Sequence, residues 1–199
     1  RAPRLGHLAQ RLFLGALGSE NIEGIHAFVS SEAWQTAIDL ELAARQAMLT
    51  PEIEQMAYDS YYRALSKNTR LLRDLETLVD SADLIDQNVV GALNGMYQFN
   101  LGLVDGGLEM GYTEDELLSQ IWAEEESIRN DVSEWMFAFL VLAYASIERQ
   151  MLLEQIRFFQ TSEGRRLNSA MTDAFDGMLN VITYQLGFAL ADMMQESTL

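Results

Sequence analysis

The chain of 199 residues contains no cysteine and only two prolines, Pro3 and Pro51. Without thiols, the protein has no cysteine nucleophile, no cysteine metal ligand and no disulfide bond. Because Pro51 is the only proline after the first residues, little prevents most of the chain from forming helices. These absences favour an all-α protein.

Basic side chains are also scarce, since 13 Lys and Arg stand against 30 Asp and Glu, giving a formal net charge of −17. Phosphate binding requires clustered Lys and Arg, so we expect no nucleic-acid partner. The longest apolar run, Trp135 to Ala145, is about half of the roughly 20 residues that a membrane-spanning helix needs. We therefore expect no transmembrane segment and interpret this run as a buried central helix.

The hydrophobic fraction of 49% is sufficient for one sizeable core. We predict a single all-helical domain over residues 1–199, folded as a bundle of about six to eight helices. A glycine-rich loop near residues 105–112 is the best candidate for an internal boundary. A faint internal repeat leaves two weakly related helical halves as the alternative arrangement.

Several helix boundaries can be predicted from capping residues. Thr113 and Glu116 have the spacing of a capping box, in which each residue bonds the backbone amide of the other. The helix that begins at Pro51 is predicted to continue to about Val79. Ser146 is predicted to cap the helix that precedes the last one.

Thr161 is predicted to cap a long final helix. The apolar positions of this helix recur at close to 3.6 residues, which is typical of a helix with one apolar side: Leu167, Met171, Phe175, Met178, Ile182, Leu186, Ala189 and Met193.

Two glycines at helical spacing and several methionine and aromatic side chains are open to two interpretations. They either pack helices against each other or line an apolar groove for a ligand. The positions concerned are Gly91, Gly95, Met171, Met178, Phe158 and Phe159.

No set of catalytic residues can be recognised. His7 and His26 are the only imidazoles, and their spacing fits neither a metal site nor a hydrolase triad. Glu124 and Glu125 are the acids to examine, because a carboxylate beside an apolar stripe must be paired, protonated or hydrated. We predict no catalytic residue, no metal ligand and no cofactor.

Ser146 to Glu148 and the run from Ile156 to Leu167 resemble the bacterial domain-of-unknown-function family 2059. The resemblance covers about a quarter of the chain, roughly Leu142 to Met194, and includes a structural motif of Thr161, Gly164, Arg165 and Arg166. It implies an all-helical, exported, usually periplasmic protein of Gram-negative bacteria whose signal peptide has been removed and which has no known catalytic activity.

We therefore expect a non-enzymatic helical envelope protein that acts through protein-protein contacts, either with another protein or with itself as a dimer. The alternative is a carrier that binds an apolar or lipid-like ligand between its helices. A periplasmic location is expected from the resemblance, and a cytoplasmic location is the alternative.

Overall fold

A computed structural model of the chain describes residues 2–18, 22–109 and 111–196. Within these ranges the regular structure is helical and contains no strand, which confirms the all-α prediction. The described α-helices are α1 (Ala2–Leu17), α2 (Glu23–Val29), α3 (Glu32–Ala47), α4 (Pro51–Ser66), α5 (Arg70–Ser81), α6 (Leu84–Asp105), α7 (Glu114–Ala123), α8 (Glu125–Ala143), α9 (Arg149–Phe159) and α10 (Ser162–Glu196). A short 3-10 helix, Tyr144–Ser146, connects α8 to α9.

The helices form two compact units. Unit 1 comprises Arg1–Gly18, Asp86–Arg129 and Ser169–Leu199, and unit 2 comprises Ser19–Ile85 and Asn130–Asn168. The division falls within helices α6, α8 and α10. The predicted internal boundary near residues 105–112 lies inside unit 1.

The core of unit 2 is built around the second half of α8. Ala138, Phe139 and Leu140 are buried there, as expected for the apolar run that contains them. Helix α9 packs against both α3 and α5. Leu75 of α5 and Leu152 of α9 are almost completely removed from solvent, and burial of this kind supplies most of the stability of a helical unit.

The capping box at the start of α7 is confirmed. The hydroxyl of Thr113 accepts a hydrogen bond from the amide of Glu116 at 3.3 Å, and the Glu116 carboxylate accepts one from the Thr113 amide at 2.7 Å. Both bonds satisfy amides that the first turn of a helix cannot pair. The Glu116 carboxylate also accepts a hydrogen bond from the Thr113 hydroxyl at 3.0 Å. The two bonds that this carboxylate accepts from Thr113, first the one from the amide, lower the pKa of the Glu116 carboxyl because they stabilise its charged form.

The predicted continuous helix from Pro51 to about Val79 is wrong, because it is two helices. Helix α4 ends at Ser66, and Asn68 then adopts a left-handed conformation with φ of 45°. The hydroxyl of Thr69 accepts a hydrogen bond from the Leu72 amide at 3.3 Å and thereby caps α5. Asn is one of the few residues that tolerate a positive φ at the end of a helix.

The predicted cap at Ser146 is also wrong. Ser146 is the last residue of the 3-10 helix, and α9 begins at Arg149 after the extended residues Ile147 and Glu148. Apolar residues recur at helical spacing from Leu117 to Trp135, but they belong to two helices, because α7 ends at Ala123 and α8 starts at Glu125.

Unit 1 is organised by a very close approach of α6 and α10. A Cβ atom added to Gly102 of α6 would lie 2.1 Å from the carbonyl oxygen of Tyr184 in α10. A Cβ atom added to Gly187 of α10 would lie 2.1 Å from the carbonyl oxygen of Phe99 in α6. The two backbones are therefore in direct contact, which only glycine permits at these positions.

Candidate functional site

Five large apolar side chains lie exposed along one side of α10 in unit 1. They follow one another at separations of four or seven residues, which places them on the same side of a helix with 3.6 residues per turn. We call this set the α10 stripe: Met171, Phe175, Ile182, Leu186 and Met193, with 36%, 54%, 37%, 60% and 65% of their surface exposed.

The stripe is exposed because a different side of α10 contacts α6. That side carries Gly187, and its neighbours Tyr184 and Ala191 also face α6. The backbone contacts at Gly102 and Gly187 hold this side of α10 against α6, and the hydroxyl of Tyr184 donates a hydrogen bond to Asp105 at 2.7 Å. The side chains of the stripe consequently point away from this contact.

The exposed area of the stripe is substantial. Its five members together expose the equivalent of about two and a half whole side chains, or about 500 Å² at about 200 Å² for each side chain. The largest apolar patch of a typical monomer is about 300–600 Å² and often has a function. The stripe is therefore a candidate contact surface.

The charges around the stripe are of one sign. No charged residue occurs from residue 177 to residue 191, and the last two turns of α10 carry Asp192 and Glu196. The sequence of α10 beyond Arg166 contains no basic residue. Unit 1 therefore exposes an apolar surface whose C-terminal end carries acids and no basic residue.

Gly91 and Gly95 both lie against α10 within unit 1. A Cβ atom on Gly91 would come within 2.7 Å of the Asp176 carboxylate, and one on Gly95 would lie 3.7 Å from a methyl group of Thr183. Burial raises the pKa of Asp176, and the neighbouring Asp173 raises it further. Met178, the other predicted groove residue of α10, is half-buried.

Phe158 and Phe159 form part of an aromatic cluster in unit 2. The ring of Phe158 is stacked on Phe28 with 3.7 Å between centroids, and Phe159 is buried beside Trp34. Both rings belong to unit 2, whereas the α10 stripe belongs to unit 1.

The motif that follows these rings forms the start of α10. The hydroxyl of Thr161 accepts a hydrogen bond from the amide of Gly164 at 3.0 Å, as predicted for an N-cap. A Cβ atom on Gly164 would lie 2.0 Å from the carbonyl oxygen of Phe158, so this turn requires glycine. Arg165 donates a hydrogen bond to the carbonyl oxygen of Gln160 at 2.8 Å. The pKa of Glu163 is lowered mainly by its hydrogen bond with Ser162, and the positive charge of Arg166 lowers it further.

The structure places Glu124 and Glu125 in different surroundings. Glu124 is exposed at the end of α7. Glu125 forms an ion pair with Arg129 at 2.7 Å, and Arg129 also pairs with Asp86. The Glu125 carboxylate is therefore paired with a neighbouring positive charge four residues later in the same helix.

A buried polar cluster in unit 2 is absent from the sequence predictions. The hydroxyl of Tyr144 donates a hydrogen bond to the carboxylate of Glu41 and lies 3.3 Å from the amide oxygen of Gln155. Tyr144 and Gln155 are almost completely buried, and the amide nitrogen of Gln155 makes no hydrogen bond within the described part of the chain. These residues come from α3, the 3-10 helix and α9, so no local pattern connects them.

The pKa values of Glu41 and Tyr144 are both raised, which favours their neutral, protonated forms. Burial raises the pKa of the Glu41 carboxyl, against the smaller effects of Tyr144 and Arg45. Burial also raises the pKa of the Tyr144 hydroxyl, and the nearby Glu41 charge adds to the effect. Tyr144 therefore acts as a hydrogen-bond donor in the core rather than as a base or nucleophile.

Unit 2 has a shallow groove that is a candidate ligand site. It lies beside α3 and the end of α8 and has a volume of about 230 Å³. The groove is lined mainly by small apolar side chains: Leu40, Ala43, Ala44, Ala47, Leu142, Ala143 and Ser146. Ligand pockets usually occupy about 300–1,000 Å³, so this groove is small for a lipid-like molecule.

Among the side chains that the structure describes, no three His, Asp or Glu residues are grouped closely enough to hold a metal ion. Within the described ranges, no helix combines the length and the apolar character that a membrane crossing requires.

The chain matches no protein-family model, and no significant similarity was found among curated proteins or among solved structures. The family resemblance of the region around Thr161 and Gly164 therefore stays a prediction.

Proposed function

We propose that this protein acts by binding another protein chain through the α10 stripe, without catalysing a reaction. The observation that carries the proposal is the exposure of five large apolar side chains on a helix whose rotation is fixed from another side. Protein interfaces have apolar centres of this kind, surrounded by polar residues. We also propose the exported location that the family resemblance implies. Fractionation of cells that express the whole gene product tests this location.

The proposal is favoured over an apolar-ligand carrier by the location of the apolar surface. Five large exposed apolar side chains share one open side of α10, whereas the groove beside α3 has a volume of only about 230 Å³ and is lined mainly by alanines. An open helix face is suited to the side of another helix, which covers several turns at once.

The test measures binding of a neutral amphipathic peptide helix, with leucines on one side and glutamines on the other, to the full chain. Phe175 and Leu186 are replaced together by glutamine, so the charge is unchanged. The two substitutions remove about 230 Å² of exposed apolar surface. If the peptide covered this surface fully, its burial would contribute several kcal/mol to the binding free energy at about 25 cal/mol per Å². We expect the peptide affinity to fall at least tenfold, because even a third of this energy exceeds 1.4 kcal/mol.

Leu42→Gln is the matched control. Leu42 is 62% exposed, close to the value for Leu186, but it lies on α3 in unit 2. We expect its replacement to leave the affinity unchanged. Equal affinities for the native chain and the Phe175→Gln/Leu186→Gln variant would refute the proposed function.

A further inference from the structure

We propose that the partner presents an amphipathic helix whose polar side is basic. This inference rests on the proposed function and adds the chemistry of the occupant of the α10 stripe. It follows from the length of the stripe and from the sign of the charge in unit 1.

The length of the stripe suits a helix. Met171 and Met193 are 22 positions apart in one continuous α-helix, which corresponds to about 33 Å at about 1.5 Å per residue. An occupant that lies along the whole stripe therefore needs about six helical turns with one apolar side. A single loop would cover only part of this length.

The charge of unit 1 selects the polar side of that helix. All the charged residues of α10 beyond Arg166 are acids. The C-terminal end of the helix adds the negative pole of its dipole near Met193. Elsewhere in unit 1, exposed acids lie in the first turn of α7, at its C-terminal end and in the first turn of α8: Glu114, Asp115, Glu116, Glu124 and Glu126. Lys or Arg beside the apolar face of a partner would be attracted by this field.

The basic side chains of unit 1 do not balance these acids. Arg129 is already paired with Asp86 and Glu125. Arg11 is the other arginine of unit 1 whose side chain the structure describes. A second copy of the chain would bring the same excess of acids to the contact, and an anionic membrane surface would also be repelled. A basic helix from a different protein is therefore the favoured occupant.

The experiment uses the full chain and three synthetic peptides of about 20 residues with the same leucine side. Their polar sides carry lysine, glutamine or glutamate, and dissociation constants are measured by fluorescence anisotropy from low to high salt. We expect the lysine peptide to bind at least tenfold more tightly than the glutamine peptide, and the glutamate peptide to bind most weakly. The advantage of lysine should diminish as salt screens the charges.

Two variants assign the effect to the proposed surface. Phe175→Gln/Leu186→Gln should weaken all three peptides at least tenfold, and Leu42→Gln should weaken none. Asp192→Asn/Glu196→Gln should reduce the preference for lysine over glutamine about threefold, with little change for the glutamine peptide.

The possible failures are distinguishable. Equal, stripe-dependent binding of the lysine and glutamine peptides would overturn the basic partner and leave the proposed function intact. Binding that the stripe variant does not weaken would overturn both. A concentration-dependent dimer that the stripe variant abolishes, and that the lysine peptide does not dissociate, would identify a second copy as the occupant and overturn the inference.

Discussion

Replacing Gly102 with alanine tests the backbone contact that leaves the α10 stripe exposed. The added Cβ atom would lie 2.1 Å from the carbonyl oxygen of Tyr184 and 2.8 Å from the amide nitrogen of Phe188. Both are backbone atoms of α10, so no side-chain rotation can relieve the clash. The two helices would have to separate by about 1 Å to restore ordinary contact distances.

The energetic cost can be estimated from two opposing effects. Overpacking a well-packed site costs about 1–3 kcal/mol, and the rigid backbone at Gly102 favours the upper end of this range. Alanine regains about 1 kcal/mol of helix propensity relative to glycine. We therefore expect Gly102→Ala to destabilise the protein by about 2 kcal/mol, which lowers the melting temperature by about 4–8 °C for a chain of this size.

Gly95→Ala is the matched control in the same helix. Its Cβ atom would meet only a methyl group of Thr183 at 3.7 Å, an ordinary van der Waals contact. The gain in helix propensity should then prevail, with stabilisation of about 0.5–1 kcal/mol. Thermal and urea unfolding followed by circular dichroism measure both variants. Equal changes for Gly102→Ala and Gly95→Ala would show that α6 and α10 do not approach as described.

Three further substitutions test local features. Glu41→Gln should remove a pH dependence of the free energy of unfolding. Because the folded-state pKa of Glu41 is raised, the stability of the wild type relative to the variant should increase as the pH falls through that pKa toward 4.5. A difference in urea unfolding that does not change with pH would contradict this. Thr113→Ala should cost about 1 kcal/mol in urea unfolding, whereas Thr113→Ser should cost less, because serine keeps the accepting hydroxyl oxygen. Asn68→Ala should cost about 1 kcal/mol and Asn68→Gly less, because φ is 45°; equal losses would show that the bond from Arg73 to the Asn68 side chain, which both variants lack, dominates.

The features that were predictable from the sequence are those that depend on neighbouring residues. The capping box of Thr113 and Glu116 spans three positions, and its bonds form within one helical turn. The break at Asn68 has a comparable local signal, since Asn followed by Thr69 combines a residue that tolerates positive φ with an N-cap. It was missed because the apolar periodicity continues across it.

The cluster of Glu41, Tyr144 and Gln155 could not be predicted in the same way. Glu41 and Tyr144 are 103 positions apart, and they meet only because the helices of unit 2 bring them together. Taken one at a time, these are common polar residues that no local sequence pattern distinguishes from others of the same type. The shift in the pKa of Glu41 arises mainly from burial, which is a property of the assembled unit.

The α10 stripe shows why periodicity predicts a helix better than it predicts the side of the helix that is buried. Apolar spacing alone ranks Phe175 and Leu186 as core residues, yet both are more than half exposed. Helix α10 has a second side that contains Gly187, and α6 contributes Gly102, so contact through these glycines permits an approach that large side chains would prevent. Once that contact is made, the larger apolar side is left on the surface of unit 1. A helix that uses its small residues for internal packing thereby retains its large apolar residues for a partner, which is the physical basis of the proposed function.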